Sequence, residues 1–158
     1  MILAAPLIIA AHLATLPTLD GWSADDPTGR PAVQVFDGPR LDRGDMRRWC
    51  TVGFVPGADG PAVHLEPETN GQRQNLEVGS VDCSLVVAAA DVPTARTAVF
   101  DLLAAWSQWL STDRTLTGRL LAGSTTTLGG VDVALATTRA GGTASAVVTV
   151  TYQARTYG

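Results

Sequence analysis

Apolar residues at the start of the chain recur at the spacing of one helix face. The stretch MILAAPLIIAAHLATL predicts a core helix over residues 5–16. Pro6 is tolerated near the start of such a helix, and Pro17 followed by Asp20-Gly21 ends it. The inward side is expected to carry Leu7, Ile8, Ala11 and Leu16. A secretory leader is the alternative, but no basic residue precedes the apolar run and no cleavage motif is well placed, so we favour a core helix.

Three extended segments follow in the first half of the chain. Residues 32–36, 49–55 and 74–90 are rich in β-formers, and the last of these alternates between apolar and polar positions. One face of this long strand carries Val81, Cys83, Leu85 and Val87, and the other carries Asp82 and Ser84. Between the second and third extended segments, residues 57–71 are rich in Gly and Pro. They predict a loop or a protruding hairpin tip, with the protrusion spanning about 57–75.

The clearest helical pattern covers residues 91–113. Asp91 is a suitable N-cap and Pro93 lies in the first turn. Trp109 extends the apolar stripe of this helix, and we interpret Trp106 and Trp109 as core residues, although a stacking platform for a base or sugar is the alternative. The stripe itself is formed by Val99, Leu102, Leu103, Trp106 and Leu110.

Two more strands are predicted at the end of the chain, over residues 131–139 and 144–155, with the Gly141-Gly142 pair suited to a hairpin connection. One long helix together with hairpins indicates a single α+β domain over residues 1–158. We expect a mostly antiparallel sheet with two main helices packed on one face.

Composition narrows the functional classes. Hydrophobic residues make up 46% of the chain, which argues against a disordered protein. The net charge is −4 and all eleven basic residues are Arg, and this negative charge argues against sequence-independent binding of nucleic acid. The two cysteines, Cys50 and Cys83, lie in apolar strand patterns and are interpreted as buried hydrophobic residues. A single bridge between neighbouring strands remains the alternative.

Candidate chemistry is sparse. His12 has no second ligand at metal spacing and is interpreted as a solvent-facing or core-edge residue, and His64 lies in no recognisable catalytic motif. The pairs Asp25-Asp26 and Asp42/Asp45 could bind a divalent cation, but aspartate is also the common turn residue. We therefore expect no enzyme activity, no catalytic residue, no metal site and no cofactor.

Two features of the segment around residues 37–48 leave room for function. Asp37 stands directly before Gly38-Pro39, and the structural interpretation is that it shapes a turn at the end of a strand. The loop that follows interleaves Asp and Arg, which is usual for a solvated face but also supplies complementary contacts between subunits. The candidate interface residues are Arg40, Asp42, Arg43, Asp45, Arg47 and Arg48.

Several stretches, in order, resemble the tail terminator proteins of the minor tail or neck of long-tailed bacteriophages with high-GC actinobacterial hosts. These are the N-terminal apolar helix, VQVFDGP, WCTVGFV, EVGSVDCSLVVAAAD, TARTAVFDLLAAWSQWL and the final VVTVTYQAR. Each motif alone is weak, whereas their order and spacing cover residues 5–156. The loop at 20–31 is longer than the resemblance leads us to expect.

The resemblance implies an α+β structural protein of the virion, assembled in the host cytoplasm. Six copies would form a ring that caps the tail tube, ends tube polymerisation and docks the head-completion or connector protein. DNA would pass through the ring without specific binding, and no membrane is involved.

Two alternatives remain at this point. The first is another neck component, such as a head-closure or adaptor protein. The second is a small ligand-binding domain, or a hydrolase that uses Asp37 with His64. A pocket that joins Asp37, His64 and an exposed tryptophan would favour this second alternative.

Overall fold

A six-stranded sheet with two helices on one face organises the chain, as the computed structural model shows for residues 2–23, 29–40, 46–70 and 74–157. The predicted α+β class with a mostly antiparallel sheet is confirmed. The helices are α1 (Ala4–Thr15) and α2 (Val92–Thr112), and a short 3₁₀ turn covers Leu16–Thr18. The strands are β1 (Gln34–Asp37), β2 (Arg48–Val52), β3 (Val63–Asn70), β4 (Gln74–Ala89), β5 (Thr125–Thr138) and β6 (Gly141–Tyr157).

The sheet is built around β4 and β6, which pair antiparallel along the whole of β4. The strand order is β1-β2-β4-β6-β5, and β1 pairs parallel to β2. On its other side β4 is shared, because β2 pairs with residues 83–87 and β3 with residues 74–81. The sheet therefore has two short strands on one edge of β4, whereas the opposite edge of the sheet is the single strand β5.

Alternation along β4 and β6 decides which side chains form the core. Val81, Cys83, Leu85 and Val87 are buried on the helix side, as the sequence pattern predicted. Their neighbours on β6 are the even-numbered residues, which are also buried. These are Ala144, Ala146, Val148, Val150, Tyr152 and Ala154. The helices complete this core, since α2 packs against β4, β5 and β6 while α1 packs against β1, β2, β4 and β6.

The predicted helices are confirmed, with small shifts at their ends. Asp91 caps α2 by accepting a hydrogen bond from the Thr94 amide at 2.8 Å. Trp106 and Trp109 are 0% and 7% exposed, so the core interpretation is confirmed and the stacking platform is excluded. None of the helices in the described part of the chain is long and apolar enough to cross a membrane.

His12 is the clearest correction to the sequence interpretation. It is 1% exposed, not solvent-facing, and its ring contacts Trp106 and Trp109 edge-on at centroid distances of 5.7 and 4.9 Å. Trp22 extends the same aromatic cluster and donates from Nε1 to the carbonyl oxygen of Leu102 at 3.1 Å. The tryptophans that contact His12 belong to α2, far from α1 in sequence, so the helical period of α1 alone could not reveal them.

Strand boundaries also differ from the predictions. β5 begins at Thr125, six residues before the predicted start at 131, because the sequence TTTLGG pairs with β6 through a bulge between Leu128 and Gly130. β2 ends at Val52, before the predicted end at 55. Residues 63–70, within the segment predicted as a loop or hairpin tip, form β3 and make a hairpin with β4. The predicted cation pairs Asp25-Asp26 and Asp42/Asp45 lie outside the described residues.

Candidate functional site: the open face of the sheet

The face of the sheet opposite the helices is formed mainly by the three long strands. The pairing register places alternate residues of β4, β5 and β6 on this open face, where many side chains carry hydroxyls. The hydroxyl-bearing residues on it include Ser80, Ser84, Thr125, Thr127, Ser145, Thr149 and Thr151. The charged residues that these three strands place there are Asp82, Asp132 and Arg155.

Side-chain hydrogen bonds join neighbouring strands across this face. Thr149 donates from Oγ1 to the carboxylate of Asp82 at 3.0 Å, which joins β6 to β4. The hydroxyls of Thr127 and Thr151 lie 3.1 Å apart, which joins β5 to β6. Such cross-strand pairs fix the register without adding bulk. The result is a largely polar wall formed by three long strands, on which Val78 and Val147 are exposed apolar side chains.

A shallow groove of about 460 Å³ crosses the end of this wall nearest β3. His64 and Glu66 border it, and their side chains lie 3.2 Å apart, both exposed. Neither Asp37 nor any tryptophan lines the groove. The arrangement of Asp37, His64 and an exposed tryptophan that would favour a hydrolase is therefore not assembled in this groove.

Asp37 is the last residue of β1, and its side chain is exposed. Gly38 follows with φ +77°, a conformation that glycine adopts without strain, and its amide donates to the carbonyl of Val52 at 3.0 Å. These contacts end the parallel pairing of β1 with β2. The geometry agrees with the interpretation that this Asp-Gly-Pro sequence makes a turn.

The candidate interface residues lie at the β1–β2 edge of the sheet, as far as the structure describes them. The guanidinium of Arg40 sits over the ring of Trp49 at 4.5 Å from its centroid, a cation–π geometry. Arg47 is exposed, whereas Arg48 is only 9% exposed and borders a groove at the start of α2. Asp42, Arg43 and Asp45 lie outside the described residues.

The two cysteines are free thiols on the core face of adjacent strands. Cys50 lies opposite Leu85 and Cys83 opposite Val52, so the thiols are diagonal neighbours across β2 and β4. Burial raises the pKa of Cys83 to about 12 and that of Cys50 also well above its usual range. Because the thiolate is the reactive form, both residues act as small apolar side chains.

Glu77 is the polar residue that the sequence analysis missed. It is 2% exposed and lies on the helix face of β4. Its carboxylate accepts hydrogen bonds from the amides of Ala4 and Ala5 at 2.9 and 3.1 Å, and from the hydroxyl of Tyr152 at 2.7 Å. No side chain caps the start of α1 locally, so Glu77 supplies the cap from a strand more than 70 residues away.

Gly79 makes this contact possible. A side chain at position 79 would overlap the Tyr152 hydroxyl and the carbonyl oxygen of His64. The Tyr152 side chain occupies that space and reaches Glu77, and burial together with this carboxylate raises the pKa of the tyrosine. The sequence did contain a signal for the burial of Glu77. It is separated from Val81 and Cys83 by an even number of residues, so strand alternation places it on the same inward face.

Among the described residues no group of three or more His, Cys, Asp or Glu side chains has the arrangement of a metal site. Comparison with known proteins finds no matching family model and no curated protein that matches the chain.

Proposed function

We propose that this chain is a structural subunit of a long-tailed bacteriophage. Copies of it would form a six-membered ring at the head-proximal end of the tail, stop growth of the tail tube and join the tail to the head-completion protein. The proposal rests on the ordered motifs that resemble tail terminators and on the chemistry of the open face.

The open face is the observation that supports the proposal most directly. DNA-binding surfaces gain affinity mainly from Lys and Arg contacts to phosphates. The face formed by β4, β5 and β6 instead carries hydroxyls, two aspartates and a single arginine, Arg155, together with exposed Val78, Val147 and Tyr157. A wall of this composition suits a passage through which DNA moves without being held, and we assign it to the lumen of the ring.

The exposed arginine at the opposite edge gives a way to test ring formation. Arg47 directly precedes β2 and has an exposed side chain, whereas Arg96 is exposed on α2. The two arginines therefore form a matched pair, one inside and one outside the candidate interface. Reversal of a rim charge is expected to weaken subunit contacts without unfolding the chain.

The experiment adds the purified chain to tubes growing from the tail tube protein of the same phage. We expect it to cap one tube end as a ring and to stop elongation, which electron microscopy and tube-length distributions measure. Arg47→Glu should lose capping, and Arg96→Glu should keep it. Unchanged tube growth with the wild-type chain would contradict the proposal, and binding to the head-completion protein without any capping would favour another neck component.

An image of the capped tube also tests the assignment of the open face. We expect β4, β5 and β6 to turn their hydroxyl-bearing side toward the channel. A ring with the helices α1 and α2 against the channel would contradict that assignment.

A further inference from the structure

The free edge of β5 is the longest unpaired strand edge among the described residues. β5 contains 14 residues and ends the strand order, so β6 pairs with one side and no described strand pairs with the other. In an antiparallel edge strand, alternate residues point both N–H and C=O outward. These groups form a template for another strand unless the edge is blocked.

The other edges of the sheet carry features that block such pairing. β1 has only four residues, and β3 carries Pro67 between Glu66 and Glu68. The half of β5 from Val131 to Thr138 reads VDVALATT, with no proline, no lysine and one charged residue, Asp132. This half of β5 is therefore open to pairing with another strand.

Apolar side chains flank the same edge on the helix side of the sheet. Val131 and Leu135 share the face of the buried residues Val148 and Ala144, with which they pair, yet they are 39% and 44% exposed. Val133 lies between them on the same face and is partly buried. The core side of β5 is thus only partly covered by the helices.

Val131, Val133 and Leu135 therefore form an apolar strip beside a free strand edge. This arrangement is suited to the addition of a strand that also brings apolar side chains.

A second copy of β5 fits this edge better than the other edges of the sheet do. In an antiparallel register centred on Val133, Val131 faces Leu135 of the second copy and Asp132 faces Ala134. Apolar side chains then meet on the helix side, and neither aspartate faces another charge. Pairing with β3 would instead place Asp132 on the same face as Glu66 and Glu68, which is unfavourable.

We propose that two copies of the free chain associate through antiparallel pairing of their β5 edges, with Val133 on the two-fold axis. This contact joins like surfaces, whereas a six-fold ring joins unlike ones. The inference therefore concerns the chain before assembly and does not depend on the proposed ring. Tube capping and dimer formation are measured separately, so the failure of one proposal leaves the other standing.

Cysteine cross-linking tests the register. The native thiols Cys50 and Cys83 are both 0% exposed. Among the described residues, an introduced cysteine is therefore the only thiol that an oxidant can reach. Val133→Cys should form a covalent dimer on mild oxidation, because directly opposed residues lie within disulfide reach after small adjustment. Val147→Cys, on the open face of β6, is the matched control and should stay monomeric on non-reducing gels. Equal cross-linking of the two variants would overturn the register.

Sedimentation velocity tests the association itself, over about 10 µM to 1 mM, the range expected for a small interface. Val131→Lys should weaken the dimer at least about tenfold. Val147→Lys is the matched control, because the two valines are equally exposed at 39%. It should leave the dimer unchanged, since Val147 lies on β6 and not on the free edge. Ala134→Lys should strengthen it, because the lysine would face Asp132 of the other copy. A wild-type chain that stays monomeric throughout, or a Val131→Lys dimer as tight as the wild type, would overturn the proposal.

Discussion

The two faces of β6 show how one strand serves two environments. Its even-numbered residues are buried beneath α1 and α2, and Val148 and Val150 are both 0% exposed. Its odd-numbered residues lie on the open face, where Val147 is 39% and Tyr157 68% exposed. The helices cover one side only, so the same strand carries packing residues and surface residues in strict alternation.

Buried polar residues occur on both faces of the sheet, since Ser84 and Thr51 are buried on the face opposite the helices, and on the covered face they are satisfied to different extents. Glu77 has three donors for its carboxylate. His12 donates from Nδ1 to the carbonyl of Ile8 at 2.7 Å, but its Nε2 has no partner. Water can satisfy the exposed polar groups of the open face, so substitutions of those residues should have small effects. Large effects on stability should therefore come from the covered face.

The largest expected effect is that of truncating Trp106. This side chain is 0% exposed and contacts both His12 and Trp22, so Trp106→Ala should lower the free energy of unfolding by about 4 kcal/mol. Phe100→Ala, on the exposed side of the same helix, is the control and should cost much less. Urea unfolding followed by fluorescence or circular dichroism measures both. Equal losses of unfolding free energy in the two variants would contradict the prediction that the buried side of α2 contributes more to stability than its exposed side.

Acid should destabilise the covered face through His12. Burial lowers the pKa of His12 to about 4 in the folded protein, although its hydrogen bond to Ile8 opposes the shift, and its usual value is 6.5. Between these values the unfolded chain binds a proton that the folded chain does not, so stability is full above pH 6.5 and falls as the pH drops toward 4. The loss expected from this residue is about 3 kcal/mol.

The measurement compares the free energy of unfolding at several pH values for the wild type and for His12→Leu. The difference between the two pH profiles gives the contribution of His12 to the pH dependence of stability, because both proteins contain the same carboxylates. An unchanged acid dependence in His12→Leu would contradict this prediction.

The smallest of the three effects compares two tyrosines on opposite faces of β6. Tyr152→Phe removes the hydroxyl that donates to Glu77 and should cost about 2 kcal/mol, because a buried acceptor loses a donor. Tyr157→Phe should change the free energy of unfolding by less than about 0.5 kcal/mol, since its side chain is largely exposed. Paired denaturation curves measure both, and equal costs would argue against the difference between the faces.

Sequence patterns were sufficient where one element carries its own periodic signal. The stripe of α2, its Asp91 cap and the alternation of β4 predicted both the elements and the buried side chains. The start of β5 was missed because Gly129 and Gly130 interrupt the alternation, and only pairing with β6 shows that the strand continues through the bulge. The open face followed from alternation, but its composition became visible only once three strands were aligned.

By itself, the sequence determined the fold class, the helix α2, the inward row of β4, and the turn at Asp37-Gly38. These features depend on local periods and backbone preferences, which a short segment contains. Only the tertiary structure decided that His12 is buried among tryptophans, that Glu77 caps α1 from β4, and that β5 is left as a free edge. Each of those depends on contacts between distant segments, and on the partners that surround a residue in space rather than along the chain.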